Sequence, residues 1–119
     1  MRTVLIVDDE ALIRWSVAES LEAAGFGVLE AGTAREALER MADHPNVAVL
    51  DLRLPDSHDL GLLRRIRQMA PGCQCILMTA HGTPELLEEA RRAGAFAALS
   101  KPFDMASIVG VVRQAEATA

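Results

Sequence analysis

Five residues in this chain carry side chains that could do chemistry together: Asp8 and Asp9, Asp51, Thr79 and Lys101. They stand at the ends of four short apolar runs, Asp9 next to Asp8 and Lys101 next to Ser100. Three carboxylates brought to one place repel each other and lose solvation, a costly arrangement without a counter-charge. A divalent cation would resolve it, and Lys101 would add a second positive charge. Mg²⁺ suits such a site because it takes oxygen ligands from few protein carboxylates and keeps several waters. A phosphoryl oxygen would complete its shell. Asp51 is then the candidate nucleophile for an aspartyl-phosphate. Mg²⁺ and Lys101 would offset charge on the transferring group, and the Thr79 hydroxyl would donate to one of its oxygens. A DD pair, a Lys-Pro or a Thr in a turn is weak evidence alone. The signal is their coincidence at four run ends.

The elements that must position these residues follow from periodicity. Residues 3–7 (TVLIV) read as a buried strand. Residues 10–24 place Leu12, Ile13, Val17, Leu21 and Ala24 at helical spacing, and Gly25 stops that helix. A strand over 27–30 follows. Thr33 and Glu36 make a capping box for a helix over 33–42. The rest reads as strand 47–50, helix 59–69, strand 75–78, helix 84–92, strand 96–99 and helix 105–116. Five strand–helix repeats predict an α/β fold: a five-stranded parallel sheet, doubly wound as (βα)5, in a single domain over 1–119. In such folds ligands sit beyond the carboxyl ends of the strands, where the five residues fall. Strand 27–30 ends in Glu30 and Ala31 and offers little chemistry.

Composition narrows the function classes. Of the 119 residues 50% are hydrophobic, enough for one core, and the aromatics are only Trp15, Phe26, Phe96 and Phe103. A net charge of −5 argues against a nucleic-acid surface. Cys73 and Cys75 share one strand face and read as small core residues of a reducing compartment. Acidic residues interrupt the N-terminal apolar run, unlike a secretory leader, and no segment reaches the roughly 20 apolar residues of a membrane span. A cytoplasmic location is expected. His81 reads as a partly exposed loop residue. His44 and His58 lack partners at metal-ligand spacing. Arg64, Arg65, Arg67, Arg91 and Arg92 read as solvated helix faces, and Trp15 as half-buried packing.

The runs VLIVDDE (4–10), VLDLRLPD (49–56), ILMTAHG (76–82) and ALSKPFD (98–104) resemble those of the receiver domains of two-component response regulators, a flavodoxin-like fold. LIRWSV (12–17), MTAHG and GAFAALSKPFD narrow the resemblance to nitrogen-regulator receivers, which often precede a sigma-54-activating ATPase. The resemblance implies that Asp51 is the phosphoacceptor, that Asp9 binds Mg²⁺ directly and Asp8 largely through water, and that the Arg53 backbone carbonyl is a further metal ligand. Thr79 matches the switch hydroxyl and Lys101 the phosphate-pairing lysine. A sensor histidine kinase would be the donor. The domain would catalyse its own phosphorylation and dephosphorylation rather than turn over a separate substrate. It would be the N-terminal part of a longer regulator, signalling to an output domain in cis or to a protein partner in transcription control.

The resemblance also implies a cis Lys101–Pro102 bond. The apolar breadth of helix 105–116 (Ile108, Val109, Val111, Val112) adds the expectation of a weak, phosphorylation-strengthened homodimer through helix 84–92, strand 96–99 and helix 105–116. Two positions depart from the family pattern: Ala98 stands where an aromatic is usual, and His58-Asp59 where Asp-Gly is usual. Without that aromatic the conformational signal is expected to pass through residues 79–83 into helix 84–92. The space at Ala98 would be left as a pocket or covered by His81, with Phe96 fixed in the core. Competing readings are a phosphorylation-independent interaction module, a phosphatase of haloacid-dehalogenase type and a flavodoxin-like nucleotide binder. The phosphatase wants an acid at position 53, where this chain has Arg53. The nucleotide binder wants a phosphate-cradling loop where Asp8 and Asp9 would repel phosphate.

Overall fold

The computed structural model describes residues 2–118. Five strands, β1 (Thr3–Val7), β2 (Gly27–Ala31), β3 (Val47–Asp51), β4 (Gln74–Thr79) and β5 (Ala95–Ser100), pair in parallel in the order β2-β1-β3-β4-β5. Five helices, α1 (Ala11–Ala23), α2 (Ala34–Arg40), α3 (Gly61–Met69), α4 (Pro84–Arg92) and α5 (Met105–Ala117), connect or follow them. This is the expected (βα)5 architecture. It arises because each apolar run is too short for a helix and is followed by a segment of helical period.

Alternate strand residues feed two separate cores. Leu5, Val7, Leu50, Cys75 and Leu77 pack with Ala37 of α2, Leu63 and Ile66 of α3 and Ala90 of α4. Val4, Ile6, Val49, Ile76 and Met78 pack with Val17, Ala18 and Leu21 of α1 and Ile108, Val112 and Ala115 of α5. The sheet is thus covered on both faces, as continuous apolar strands require. Cys73 and Cys75 are free thiols buried in the same core, as expected, but Cys73 stands one residue before β4 rather than on the strand.

Local chemistry fixes the element ends. Thr33 Oγ1 accepts from the Glu36 amide at 3.1 Å, while the Glu36 carboxylate reaches past Thr33 to the Gly32 amide at 2.8 Å. The capping box is therefore present but displaced by one residue. Thr33, Thr83 and Asp104 each cap a helix through the side chain. Gly25 and Gly94 hold φ of +97° and +103°, left-handed backbone that glycine adopts without steric cost. The Lys101–Pro102 bond is cis, as the resemblance implied.

Three expectations are corrected. Leu12 and Trp15 are 74% and 56% exposed, not packed. The α1 stripe is set by Ile13, Val17, Leu21 and Ala24. At about 100° per residue Leu12 and Trp15 fall on the opposite side. Phe96 is 38% exposed rather than fixed core. Cys75 pairs with Ala95 and Ile76 with Ala97, so Phe96 is the extra residue of a bulge in edge strand β5. It lines a groove of about 230 Å³ with Leu87, Ala90, Arg91 and Ala98, the space expected beside Ala98, and His81 does not cover it.

Candidate functional site

Strand register builds the site as a staircase along the carboxyl rim. Val7 pairs with Leu50, so Asp8 leaves the sheet level with Asp51. Asp51 pairs with Met78 and Thr79 with Ser100, which sets Thr79 and Lys101 one step further out. Asp51 is the last residue of β3 rather than the first of its loop, so its backbone is held by the sheet. The Lys101 amide donates to the Thr79 carbonyl at 2.8 Å, and the Leu52 amide to the Met78 carbonyl at 3.1 Å. Asp8, Asp51 and Thr79 are the buried polar residues of the described chain, and all lie on this rim.

Lys101 links the acids. Its Nζ lies 3.0 Å from Asp8 Oδ2, 3.4 Å from Asp51 Oδ2 and 3.9 Å from Glu10 Oε1. Asp8 Oδ1 accepts from the Glu10 amide at 2.8 Å, and Asp51 Oδ1 from the Arg53 amide at 3.2 Å. Thr79 Oγ1 accepts from the His81 amide at 3.2 Å, which leaves the hydroxyl proton free to point toward the site. An open pocket of about 530 Å³ joins Asp9, Glu10, Asp51, Arg53, Thr79 and Lys101, with His58 and His81 on its wall.

The acids differ in environment. Burial pushes the Asp51 carboxyl above its ordinary 3.8, assisted by the Asp8 charge and opposed by the Arg53 amide and Lys101. For Lys101 burial works against the charge, but the hydrogen bond and charge of Asp8 and the charge of Asp51 outweigh it, and its pKa rises above 10.5. The raised Asp51 value means the native state binds more protons than the unfolded chain between pH 3.8 and the native pKa. Stability falls as pH rises through that interval. Asp51→Asn is therefore expected to raise the stability of the metal-free domain at neutral pH, with the gain vanishing below pH 3.8. Urea unfolding of both proteins across pH checks this; an Asn variant no more stable at neutral pH refutes it.

The donor set fits a hard divalent cation. Asp8, Asp9 and Glu10 present carboxylate oxygens within 4.8 Å of one another, and sulfur and imidazole take no part. Glu10 was not singled out in the sequence; the third acid of the DDE run was its only signal. Asp51 stands outside this tight group but shares Lys101 with it. The Arg53 side chain is exposed, so any role as a ligand falls to its backbone carbonyl. Among the described residues no helix is long and apolar enough to cross a membrane.

The response regulator receiver domain family matches residues 4–113. The DNA-binding transcriptional regulator NtrC of Escherichia coli K12 is 37% identical over 113 residues, 94% of this chain and 24% of that protein. The C4-dicarboxylate transport transcriptional regulatory protein DctD of Rhizobium meliloti is 34% identical, over 96% of this chain and 25% of its own length. The chain thus spans about a quarter of these curated relatives. The crystal structure of a CheY-like receiver domain protein from Methanospirillum hungatei superposes with a TM-score of 0.92 at 30% identity, covering 98% of this chain and 94% of that one. Fold and similarity agree, and the chain belongs to the receiver domains of two-component response regulators, with NtrC and AtoC among its relatives.

Proposed function

We propose that this domain is a phosphorylation-dependent switch whose acceptor is Asp51. The observation that carries the reading is the placement of Lys101 Nζ between Asp8 and Asp51, with Thr79 on the same pocket wall. An Asp51 carboxylate oxygen attacks the phosphorus of a phosphohistidine on a sensor histidine kinase. The P–O bond forms as the P–N bond breaks, and the imidazole leaves with a proton from solvent. Loss reverses the switch: water attacks phosphorus, inorganic phosphate departs and the Asp51 carboxylate returns. Burial that raises the Asp51 pKa keeps this carboxylate poorly solvated and so more nucleophilic. Lys101 moves from the Asp51 oxygen to a phosphoryl oxygen while Asp8 keeps it at the rim. The Thr79 hydroxyl donates to a second oxygen. Asp8, Asp9 and Asp51 with the Arg53 carbonyl would hold Mg²⁺, which supplies charge neutralisation for the transferring group.

Incubation with acetyl phosphate tests the reading. Intact mass should rise by one phosphoryl group with Mg²⁺ present and stay unchanged with a chelator. A protein that never gains mass contradicts it.

The domain would act as the N-terminal receiver of a longer cytoplasmic transcription regulator, with the output in cis or in a protein partner. Nucleic-acid binding would lie outside it, as the −5 charge supports. Without an aromatic at Ala98 the signal would run from Thr79 through residues 80–83 to the start of α4. Gly82 supports this route: a Cβ there would lie 3.2 Å from Thr79 Cγ2 and 3.5 Å from Leu87 Cδ2, so this loop residue stands between Thr79 and the first turn of α4. Leu87 and Phe96 are exposed and Val109 and Val111 half-buried, leaving apolar surface on α4, β5 and α5 for a second copy. Sedimentation with beryllofluoride and Mg²⁺ is expected to show a dimer that weakens without them. A monomer under both conditions at high concentration refutes the dimer.

A further inference from the structure

The β2–α2 junction carries no reactive group of the proposed chemistry, yet both acid-bearing loops are tied to it. On one side the Asp8 amide donates to the Ala31 carbonyl at 3.1 Å. Arg14 donates to the Asp8 carbonyl at 2.7 Å and to Glu30 Oε1 at 3.2 Å. On the other side the loop after β3 reaches across to α2. Asp56 Oδ1 accepts from the Ala34 amide at 2.8 Å, and Asp56 Oδ2 from the Arg35 amide at 3.0 Å. These are two first-turn donors that α2 itself leaves without partners.

We infer that Asp56 is a positioning residue for the rim: by clamping α2 it holds residues 52–58, and with them the Arg53 carbonyl, in register with the Asp8–Asp9 turn. The inference rests on the reading of the rim as a cation and phosphoryl site. The loop is built to transmit such a hold. Leu54 and Ser57 close a tight turn through paired backbone hydrogen bonds of 2.8 and 3.3 Å, with Pro55 and Asp56 at its tip. Leu54 is buried in the core beneath it. One end of the turn is thus fixed by packing and the tip by Asp56, and Arg53 lies between Leu54 and the sheet-held Asp51. The turn keeps its own hydrogen bonds when Asp56 is changed, so a variant loses the tie to α2 rather than the turn.

The test is calorimetric Mg²⁺ affinity of the whole chain as wild type, Asp56→Ala, Asp56→Asn and Glu39→Gln. Losing a group that orients ligands typically weakens metal binding by about tenfold or more. Asp56→Ala is expected to weaken Mg²⁺ about tenfold by that measure. Asp56→Asn keeps one acceptor and should recover most of the loss. Glu39→Gln removes a charge that faces the Arg35 guanidinium rather than the Arg35 amide of the clamp, and should change nothing. Equal affinity in Asp56→Ala and wild type overturns the inference, as does an equal loss in Glu39→Gln. The clamp is also read without the ion. Amide exchange at Ala34 and Arg35 and backbone motion over 52–58 should both increase in Asp56→Ala. If they do not, the clamp is wrong whatever the metal does. A wild type that binds no Mg²⁺ while the clamp signals appear would instead overturn the cation site on which the inference rests.

Discussion

Asp51→Asn is expected to take no phosphoryl group from acetyl phosphate above background. An amide has no anionic oxygen to attack phosphorus, and among the described residues no other carboxylate is placed to substitute. Asp8 is wholly buried and held by Lys101 and the Glu10 amide. Asp9 and Glu10 are exposed, and Lys101 lies 3.9 Å from Glu10 against 3.4 Å from Asp51. Loss of label cannot be assigned to unfolding, because removing the buried Asp51 charge should stabilise the metal-free domain. Intact mass of wild type and variant, taken side by side with Mg²⁺, checks this. Equal labelling contradicts the assignment.

Lys101→Met should have the largest effect on stability, and opposite effects on cation binding and on chemistry. Lys101 is the ammonium within 4.0 Å of Asp8 and Asp51, and Asp8 has no exposure to water. Removing one member of a buried ion pair costs roughly 3 kcal/mol or more. The variant should therefore unfold at lower denaturant. With its carboxylates uncompensated it should bind Mg²⁺ more tightly than wild type, and Mg²⁺ should restore more of its stability. Labelling should still slow by about 10²-fold, because a charge-stabilising donor to the transferring oxygens is gone. The pH dependence has a fixed sign. The raised Lys101 pKa gives wild type stability that is complete below pH 10.5 and lost as pH rises through the native value. The gap between the two proteins should close at alkaline pH. Weaker Mg²⁺ binding in Lys101→Met would contradict the geometry.

Much of this site was legible in the sequence because parallel strands map one-dimensional order onto one rim. A residue that ends an apolar run must stand at the carboxyl edge, so sequence order alone puts Asp8, Asp51, Thr79 and Lys101 on one rim. The two-faced core was equally legible, since continuous runs such as VLIV demand cover on both sides. What escaped was whatever depends on phase or on a single inserted residue. Leu12 and Trp15 belong to an apolar-looking helix, but Ile13, Val17 and Leu21 fix its rotation and turn those two outward. The AFAAL run is apolar throughout, so the bulge at Phe96 leaves no mark in its pattern. Glu10 and Asp56 escaped for a different reason. Both look like ordinary surface acids beside a turn. Glu10 adjoins Asp8 and Asp9 in the chain, but only the fold turns all three carboxylates to within 4.8 Å of one another, and only the fold carries Asp56 to the amides of α2.

The most direct test of the central claim is to locate the phosphoryl group. Wild-type protein labelled with acetyl phosphate and Mg²⁺ would be trapped by borohydride reduction, which converts an acyl phosphate to an alcohol, and the modified residue read by tandem mass spectrometry. The account predicts modification at Asp51, dependent on Mg²⁺ and absent from Asp51→Asn. Modification at Asp8, Asp9 or Glu10, or at Asp51 with equal yield in the presence of a chelator, would contradict it.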